Sequence, residues 1–231
     1  MRRSALFFLL PLLAAAPLAA QNFEGVVSVK TDTTDPNAMR DEKVHITPGR
    51  VAVTGITGSA SPVGPGVEIR ILMDWGTGKF TMLLPLAGPM AQFAQMNPGM
   101  KGVQMVSSIP ASVAAAATSL KPLGTSQTIA GFICQDFVET TANNPRSLCL
   151  TKQLGKFTMP AMGRGGRGGA PSWIAAIGDN GFPLKVWTAN GHIDFEATSV
   201  KPGAVSPSLF VIPDGFMDMS ALGRMGGRGG L

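Results

Sequence analysis

Phe182-Pro183-Leu184-Lys185-Val186-Trp187-Thr188-Ala189-Asn190-Gly191-His192-Ile193-Asp194-Phe195-Glu196-Ala197-Thr198-Ser199-Val200 is the stretch that decides the fold class. Apolar, aromatic and β-branched residues flank a central Asn190-Gly191. That dipeptide is the preferred type I′ pair, because both central residues of such a turn need positive φ. The stretch reads as an antiparallel hairpin, with strands over 182–188 and 192–200.

Similar patterns extend outward. Thr125 to Ile129, the turn Ala130-Gly131, and Phe132 to Thr140 form a second hairpin. Asn143-Asn144-Pro145 turns into Ser147 to Thr151. Nearer the N-terminus, strands are expected over 23–30, 40–47 and 50–54, with Val44, Ile46, Val51 and Val53 on one face. Gly55 to Gly66 reads as loop. Val67, Ile69, Ile71 and Met73 alternate with Glu68, Arg70 and Asp74, the period of a half-buried strand. Trp75-Gly76-Thr77-Gly78 connects it to a return strand carrying Phe80, Met82 and Leu84. Between Gly88 and Leu120 the spacing changes. Met90, Phe93 and Ala94, then Ile109, Val113, Ala116, Ala117 and Leu120, recur as in one or two short helices. Trp173 to Ile177 reads as a helical turn, and Ser208 to Ile212 as a last short strand. Strands precede and follow the helices with no βαβ alternation, so a doubly wound fold is not expected. The class is mainly β (α+β), a curved antiparallel sheet covered by one or two short helices.

Composition agrees. Of 231 residues, 29 are Gly and 18 Pro, together about a fifth of the chain, where about 12% is usual. The apolar fraction is 45% and the charged fraction 14%, which excludes a chain disordered through high charge and low hydrophobicity. Gly shows no three-residue period, which excludes collagen. Two Cys are too few for a disulfide-dense mini-protein.

Residues 1–20 have the three parts of a secretory signal: Arg2-Arg3, the apolar run from Ala5 to Leu13, and the small-residue stretch Ala14 to Ala20. Cleavage near Ala20 leaves Gln21 first and implies a periplasmic or secreted location. Residues 21–219 are expected to form one domain with a Gly/Arg loop at 162–170, and residues 220–231 a tail. The formal charge of +5 comes from Arg2 and Arg3, from Arg164, Arg167, Arg224 and Arg228, and from a body near −1. In an exported chain the four Gly/Arg-segment arginines imply weak contact with an anionic envelope surface rather than with nucleic acid.

Export also implies an oxidised Cys134–Cys149 pair. Closing the intervening loop is worth about 3 kcal/mol in the entropic account. A simple hairpin turning at Asn143-Asn144 brings Cys134 nearer Lys152 than Cys149. Either a bulge shifts the register, or the bond joins positions that are not directly opposite.

Catalytic patterns are sparse. His45 and His192 sit on strand patterns with polar residues outward. Gly58-Ser59-Ala60-Ser61 lacks the strand-to-helix context of a nucleophile elbow. Asp136/Glu139 and Asp194/Glu196 are paired carboxylates, the latter pair expected on a solvated face. No enzymatic activity, cofactor or metal is expected. Met90, Met96, Met100 and Met105 are soft ligands suited to Cu(I). They equally suit an adaptable apolar lining. In that reading Met90, Phe93, Met96, Met100 and Met105 form an apolar flap which, with Phe80, Met82 and Leu84, makes the candidate ligand surface.

Three further groups of residues carry a resemblance. One is Phe23-Glu24-Gly25-Val26-Val27 with Ile71-Leu72-Met73-Asp74 and Lys79-Phe80-Thr81-Met82-Leu83-Leu84-Pro85. Another is Thr128-Ile129-Ala130-Gly131-Phe132-Ile133-Cys134 with Leu148-Cys149-Leu150-Thr151-Lys152-Gln153-Leu154-Gly155. The last is Gly181-Phe182-Pro183-Leu184-Lys185-Val186 with Leu209-Phe210-Val211-Ile212-Pro213-Asp214-Gly215-Phe216. In this order they resemble the bacterial secreted family called domain of unknown function 4412, which itself looks related to periplasmic lipoprotein carriers of the LolA/LolB type. The resemblance implies an incomplete antiparallel barrel closed by helices, a LolA-like half-barrel, and a hydrophobic ligand such as a lipid or lipoprotein acyl chain. It supplies no catalytic residues. A monomer is expected. An envelope structural or interaction module without ligand, and a Met-based Cu(I) binder, are the alternatives. N-terminal sequencing of the chain recovered after export checks the address: the expected first residue is Gln21, and retention of Met1 to Ala20 refutes it.

Overall fold

The computed structural model describes residues 23–31, 40–56, 67–108, 120–140, 145–155, 172–177 and 180–219. The expected signal segment, residues 109–119 of the second expected helix, the Asn143-Asn144 turn, Ser59, Ser61, the Gly/Arg loop with Arg164 and Arg167, and the tail with Arg224 and Arg228 lie outside these residues. Leu120, the last residue of that expected helix, instead starts a strand that pairs with Glu139.

Six strands come first: β1 (Gly25–Thr31), β2 (Arg40–Thr47), β3 (Arg50–Ile56), β4 (Ile69–Asp74), β5 (Lys79–Pro85) and β6 (Gly102–Ser108). A 3₁₀ turn, Gly88–Met90, and α1 (Ala91–Met96) stand between the last two. Then follow β7 (Leu120–Ile129), β8 (Phe132–Glu139), β9 (Arg146–Thr151), α2 (Ser172–Ile177), β10 (Phe182–Thr188), β11 (Ile193–Pro202) and β12 (Phe216–Asp218). All twelve strands form one sheet in the order β12-β6-β5-β4-β3-β2-β1-β11-β10-β9-β8-β7. Every pairing is antiparallel except β12 with β6. The sheet curves strongly. Phe23, just before β1, and Phe132 at the start of β8 meet edge to face with ring centroids 6.4 Å apart. Three strands separate β1 from β8, and in a flat sheet that interval spans roughly 19 Å.

The hairpins depart from expectation in an instructive way. Ala130 (φ 50°) and Gly131 (φ 84°) form the two-residue type I′ turn, closed by the Ile129–Phe132 pair. The Asn190-Gly191 connection is instead a three-residue loop. The Thr188 N–H donates to the His192 carbonyl at 2.9 Å, and the Gly191 N–H donates to the Thr188 carbonyl at 3.0 Å. Only Gly191 takes positive φ. The Asn190 side-chain oxygen accepts from the Thr188 hydroxyl and the His192 N–H, which holds Asn190 in the turn without the left-handed conformation.

Two apolar layers hold the sheet. The large one includes Val27, Val44, Val53, Ile71, Leu148, Leu184 and Phe195, and α2 covers part of it through Trp173, Ala176 and Ile177. The second lies on the opposite face of β3 to β5, where Ala52, Leu72 and Leu83 pack under Leu209, Phe210 and Phe216. Leu72 is therefore buried, and β4 is covered on both faces rather than half-buried by alternation. The expected strand over 208–212 is a 3₁₀ turn, Pro207–Phe210. Pro207 fixes φ at the start and lacks the N–H a ladder needs, while the Leu209 N–H returns to the Ser206 carbonyl at 3.1 Å. The final strand lies later, at β12. The Arg50 guanidinium sits 5.1 Å from the Phe210 ring centroid and fastens this segment to β3.

Cys134 and Cys149 are bonded, with Cα atoms 5.3 Å apart. Asp136, not Cys134, is directly opposite Cys149, and the β8–β9 ladder runs without a bulge. Of the two arrangements the spacing left open, the bond joins diagonal positions.

Gly181 and Gly131 make a controlled comparison. Both have positive φ, 126° and 84°. A Cβ on Gly181 would lie 2.4 Å from the Thr151 carbonyl oxygen, whereas one on Gly131 meets nothing within 4 Å. Gly131→Ala should cost about 1 kcal/mol for backbone strain alone, and Gly181→Ala about 3 kcal/mol or more for strain plus a backbone clash. Denaturant midpoints of the two variants check this; equal losses would refute it.

Candidate functional site

Across β1 to β6 the register lines up one apolar row: Val27, Val44, Val53, Ile71, Met82 and Met105, each directly opposite the next. Beside it run Ile46, Val51, Met73 and Phe80, and further along Leu84 opposes Val103. Alternation within β5 places Phe80, Met82 and Leu84 on this face. The row is sealed in the middle of the sheet and opens at its end. Val27 to Ile71 are at most 2% exposed, Met82 is half-buried, and Met105 is 45% exposed.

The expected ligand residues divide accordingly. Phe80 and Leu84 are core residues, and Met82, Met90 and Met100 pack against the same core from partly buried positions. Met105 belongs to the sheet and not to a flap. Val103 and Met105 alternate with Gln104 and Val106, and β6 pairs with β5 along its whole length. Phe93 and Met96 lie on α1 at 42% and 66% exposure, and α1 buries none of its residues. Helical cover comes from α2, which had read only as a helical turn.

The titratable groups are mostly held in structural pairs. Asp136 is buried and accepts from the Thr125 hydroxyl at 2.7 Å and the Gln127 amide at 2.8 Å. Asp194 does not stand on a solvated face. Its carboxylate is half-buried between Arg146 Nε, at 2.8 Å, and His192 Nε2, at 3.0 Å. Glu196 pairs with Lys185 at 3.0 Å. Thr125 and Gln127 lie on β7 beside β8, Lys185 on β10 beside β11, and Arg146 on β9, one strand beyond β10, and linear spacing does not reveal these partners. Glu139 is 1% exposed and accepts a 3.4 Å hydrogen bond from the Arg146 N–H. Among the described residues no group of three or more His, Cys, Asp or Glu is placed to hold a metal ion. No described helix is long and apolar enough to cross a membrane.

His45 is half-buried on β2, with Nε2 3.0 Å from the Thr54 hydroxyl. Burial lowers its pKa below 6.5, and the positive charges of Lys43 and Arg70 lower it further against the opposing pull of Glu68. The folded chain thus holds this proton less tightly than the unfolded chain. The stability carried by neutral His45 is complete above pH 6.5 and is lost as pH falls through the folded-state pKa. Urea midpoints measured from pH 7.5 downward should decline below about pH 6.5, the unfolded value, and His45→Gln should flatten that decline; an unchanged slope would refute the assignment.

Comparison with known proteins adds the following. No curated protein matches the chain. Among solved structures, one of PNGF-II in space group P21 aligns at 14% identity, covering 88% of this chain and 33% of that one, with a TM-score of 0.47. Another of PNGF-II, in space group C2, aligns at 13% identity over 88% and 32%, with a TM-score of 0.44. The chain spans about a third of the length of those structures. The model of the family described as "Domain of unknown function (DUF4412)" matches residues 104–216, from β6 to β12.

Proposed function

We propose that the chain is an exported, non-enzymatic protein of the periplasm or envelope that binds a hydrophobic ligand such as a lipid or acyl chain. The curved sheet acts in this reading as a half-barrel of the LolA/LolB carrier kind. The observation that carries it is the apolar row that is sealed at Val27 and open at Met105, with Met82 directly opposite Met105 and Met90 and Met100 packed from partly buried positions against the same core. Methionine is unbranched and polarizable, so such a rim adapts to chains of differing shape. An exposed apolar strip that continues a packed core costs free energy in water, and an acyl chain laid along it removes that cost. Phe93 and Met96 on α1 supply further apolar surface. Residues 1–20 direct export, the chain acts as a monomer, and Arg164, Arg167, Arg224 and Arg228 favour an anionic envelope surface.

A second reading is an envelope interaction module with a filled core and no ligand. The near-complete burial of Phe80 and Leu84 favours it, since neither is free to line a site. For the Cu(I) alternative, Met90 and Met100 pack against the core from partly buried positions, while Met96 and Met105 are 66% and 45% exposed.

Native mass spectrometry of the exported full-length chain, incubated with phosphatidylethanolamine vesicles, separates these readings. The expected result is a lipid-bound species that Met105→Asp weakens by roughly 10-fold, as the loss of one buried apolar contact implies. Recovery of empty protein alone would overturn the ligand reading.

A further inference from the structure

β7 is the last strand of the sheet, and β8 is its neighbour on one side only. Its residues from Lys121 to Thr128 are all exposed. The opposite end of the sheet differs, because β12 of the same chain pairs with Gly102 to Gln104 there. An uncovered edge is a row of unpaired N–H and C=O groups, which proteins ordinarily blunt with lysine, proline or a bulge. β7 is blunted over its first half alone. Lys121 and Pro122 stand there, and the ladder with β8 is irregular between Pro122 and Ser126. From Ser126 to Ile129 the pairing runs regularly opposite Gln135 to Phe132, with none of these devices.

The turn fixes which backbone groups face outward. Ile129 and Phe132 close the two-residue type I′ turn, so they form a hydrogen-bonded pair. Such pairs alternate along an antiparallel ladder, so Gln127 bonds to Cys134 while Ser126 and Thr128 turn their N–H and C=O groups away from β8. The edge thus offers two donors and two acceptors repeating at about 7 Å. It is held in shape from behind. Buried Asp136 accepts from the Thr125 and Gln127 side chains, and Cys134, opposite Gln127, is bonded to Cys149 on β9. A partner therefore meets a strand that is already ordered, which lowers the entropic cost of binding.

An extended peptide backbone matches that repeat. Charge narrows its kind. On β7, β8 and β9, Asp136 and Glu139 are buried and Arg146 pairs with Asp194, which leaves Lys121 as the exposed charge. Ile133, directly opposite Thr128 and 64% exposed, adds apolar surface beside the edge. We propose that Ser126 to Ile129 is a docking edge for an extended segment of another protein, which adds to the sheet beside β7 with β-branched residues near Thr128 and Ile133 and a carboxylate toward Lys121. The proposal goes beyond the apolar-ligand reading and stands apart from it, since the rim at β6 lies at the other end of the sheet.

The test adds the capped hexapeptide Thr-Val-Thr-Val-Thr-Glu, at millimolar concentration, to the full exported chain labelled with ¹⁵N. The amide protons of Ser126 and Thr128 should move downfield and exchange more slowly with solvent, while those of Gln127 and Ile129 keep the protection they already have. A peptide ending in Lys instead of Glu should bind several-fold more weakly at low salt, a difference that added salt removes. A fully N-methylated peptide, which has no backbone donors, should not bind. Thr128→Pro removes one outward N–H at an edge position, where proline is tolerated. It should weaken binding by roughly 3- to 10-fold, the size of one net hydrogen bond. Unmoved Ser126 and Thr128 amides, or equal binding of the N-methylated peptide, would overturn the proposal. Protection of these two amides that grows with protein concentration in the absence of peptide would also overturn it, because the occupant is then a second copy of the chain. The comparison of peptides is made on the unsubstituted protein, so it stands even if Thr128→Pro fails to fold.

Discussion

The ladder between β1 and β11 is the constraint on which the rest of the sheet depends. It joins Gly25 to Pro202 and Thr31 to Phe195 across most of the chain. Without it the sheet is two pieces, the meander β1 to β6 with β12 and the meander β7 to β11, each with a long unpaired edge. Local hairpins form by closing short loops, whereas this pairing closes a very long one and must be repaid by burial. The repayment is visible along the seam, where Val27 and Val29 face Val200 and Ala197 in register. Backbone and side-chain ties reinforce it. The Glu24 carbonyl accepts from the Gly203 N–H at 3.1 Å, and its carboxylate accepts from the Val205 N–H at 2.8 Å. A bulge between Ser28 and Val29 adds local twist to the seam.

Curvature follows from this closure and from the packing it permits. Once the two meanders share a sheet, Phe23 reaches Phe132, and within the second meander α2 lays Trp173 on Phe195. The disulfide locks β8 to β9 inside that curved region, with both sulfurs buried. On the opposite face, Leu209, Phe210 and Phe216 cover Ala52, Leu72 and Leu83, so the middle of the first meander is dry on both sides. Among the described residues, Met105 and Val106 near the end of the sheet on β6 are more open, at 45% and 42% exposure. Apolar burial thus concentrates at the centre of the sheet, and exposed apolar side chains stand at one rim.

Much of the strand content was legible because period-two alternation and turn residues are local signals. The β2–β3 and β4–β5 hairpins follow Pro48-Gly49 and Trp75 to Gly78. The errors arose where a side-chain hydrogen bond or a cross-strand contact overrode a preference read from composition and spacing. Asn190-Gly191 carries the composition of a two-residue turn, yet hydrogen bonds from Thr188 and His192 to the Asn190 side chain select a three-residue loop. Met105 has the company of a methionine-rich helical stretch, yet β5 captures it as a strand residue. Asp194 looks solvated within its own strand, and Arg146, from β9, makes it an ion-pair partner.

What the sequence by itself determined was the class of the fold, its hairpins, the two cysteines that pair and the apolar residues that line the sheet, since all of these rest on neighbours in the chain or on composition. Which face each apolar residue serves, and which of the candidate residues are core and which are rim, were decided only by the tertiary structure. Those properties depend on the order of strands in the sheet. The β1–β11 closure sets that order by a balance of burial against chain entropy, a balance that no short window of residues contains.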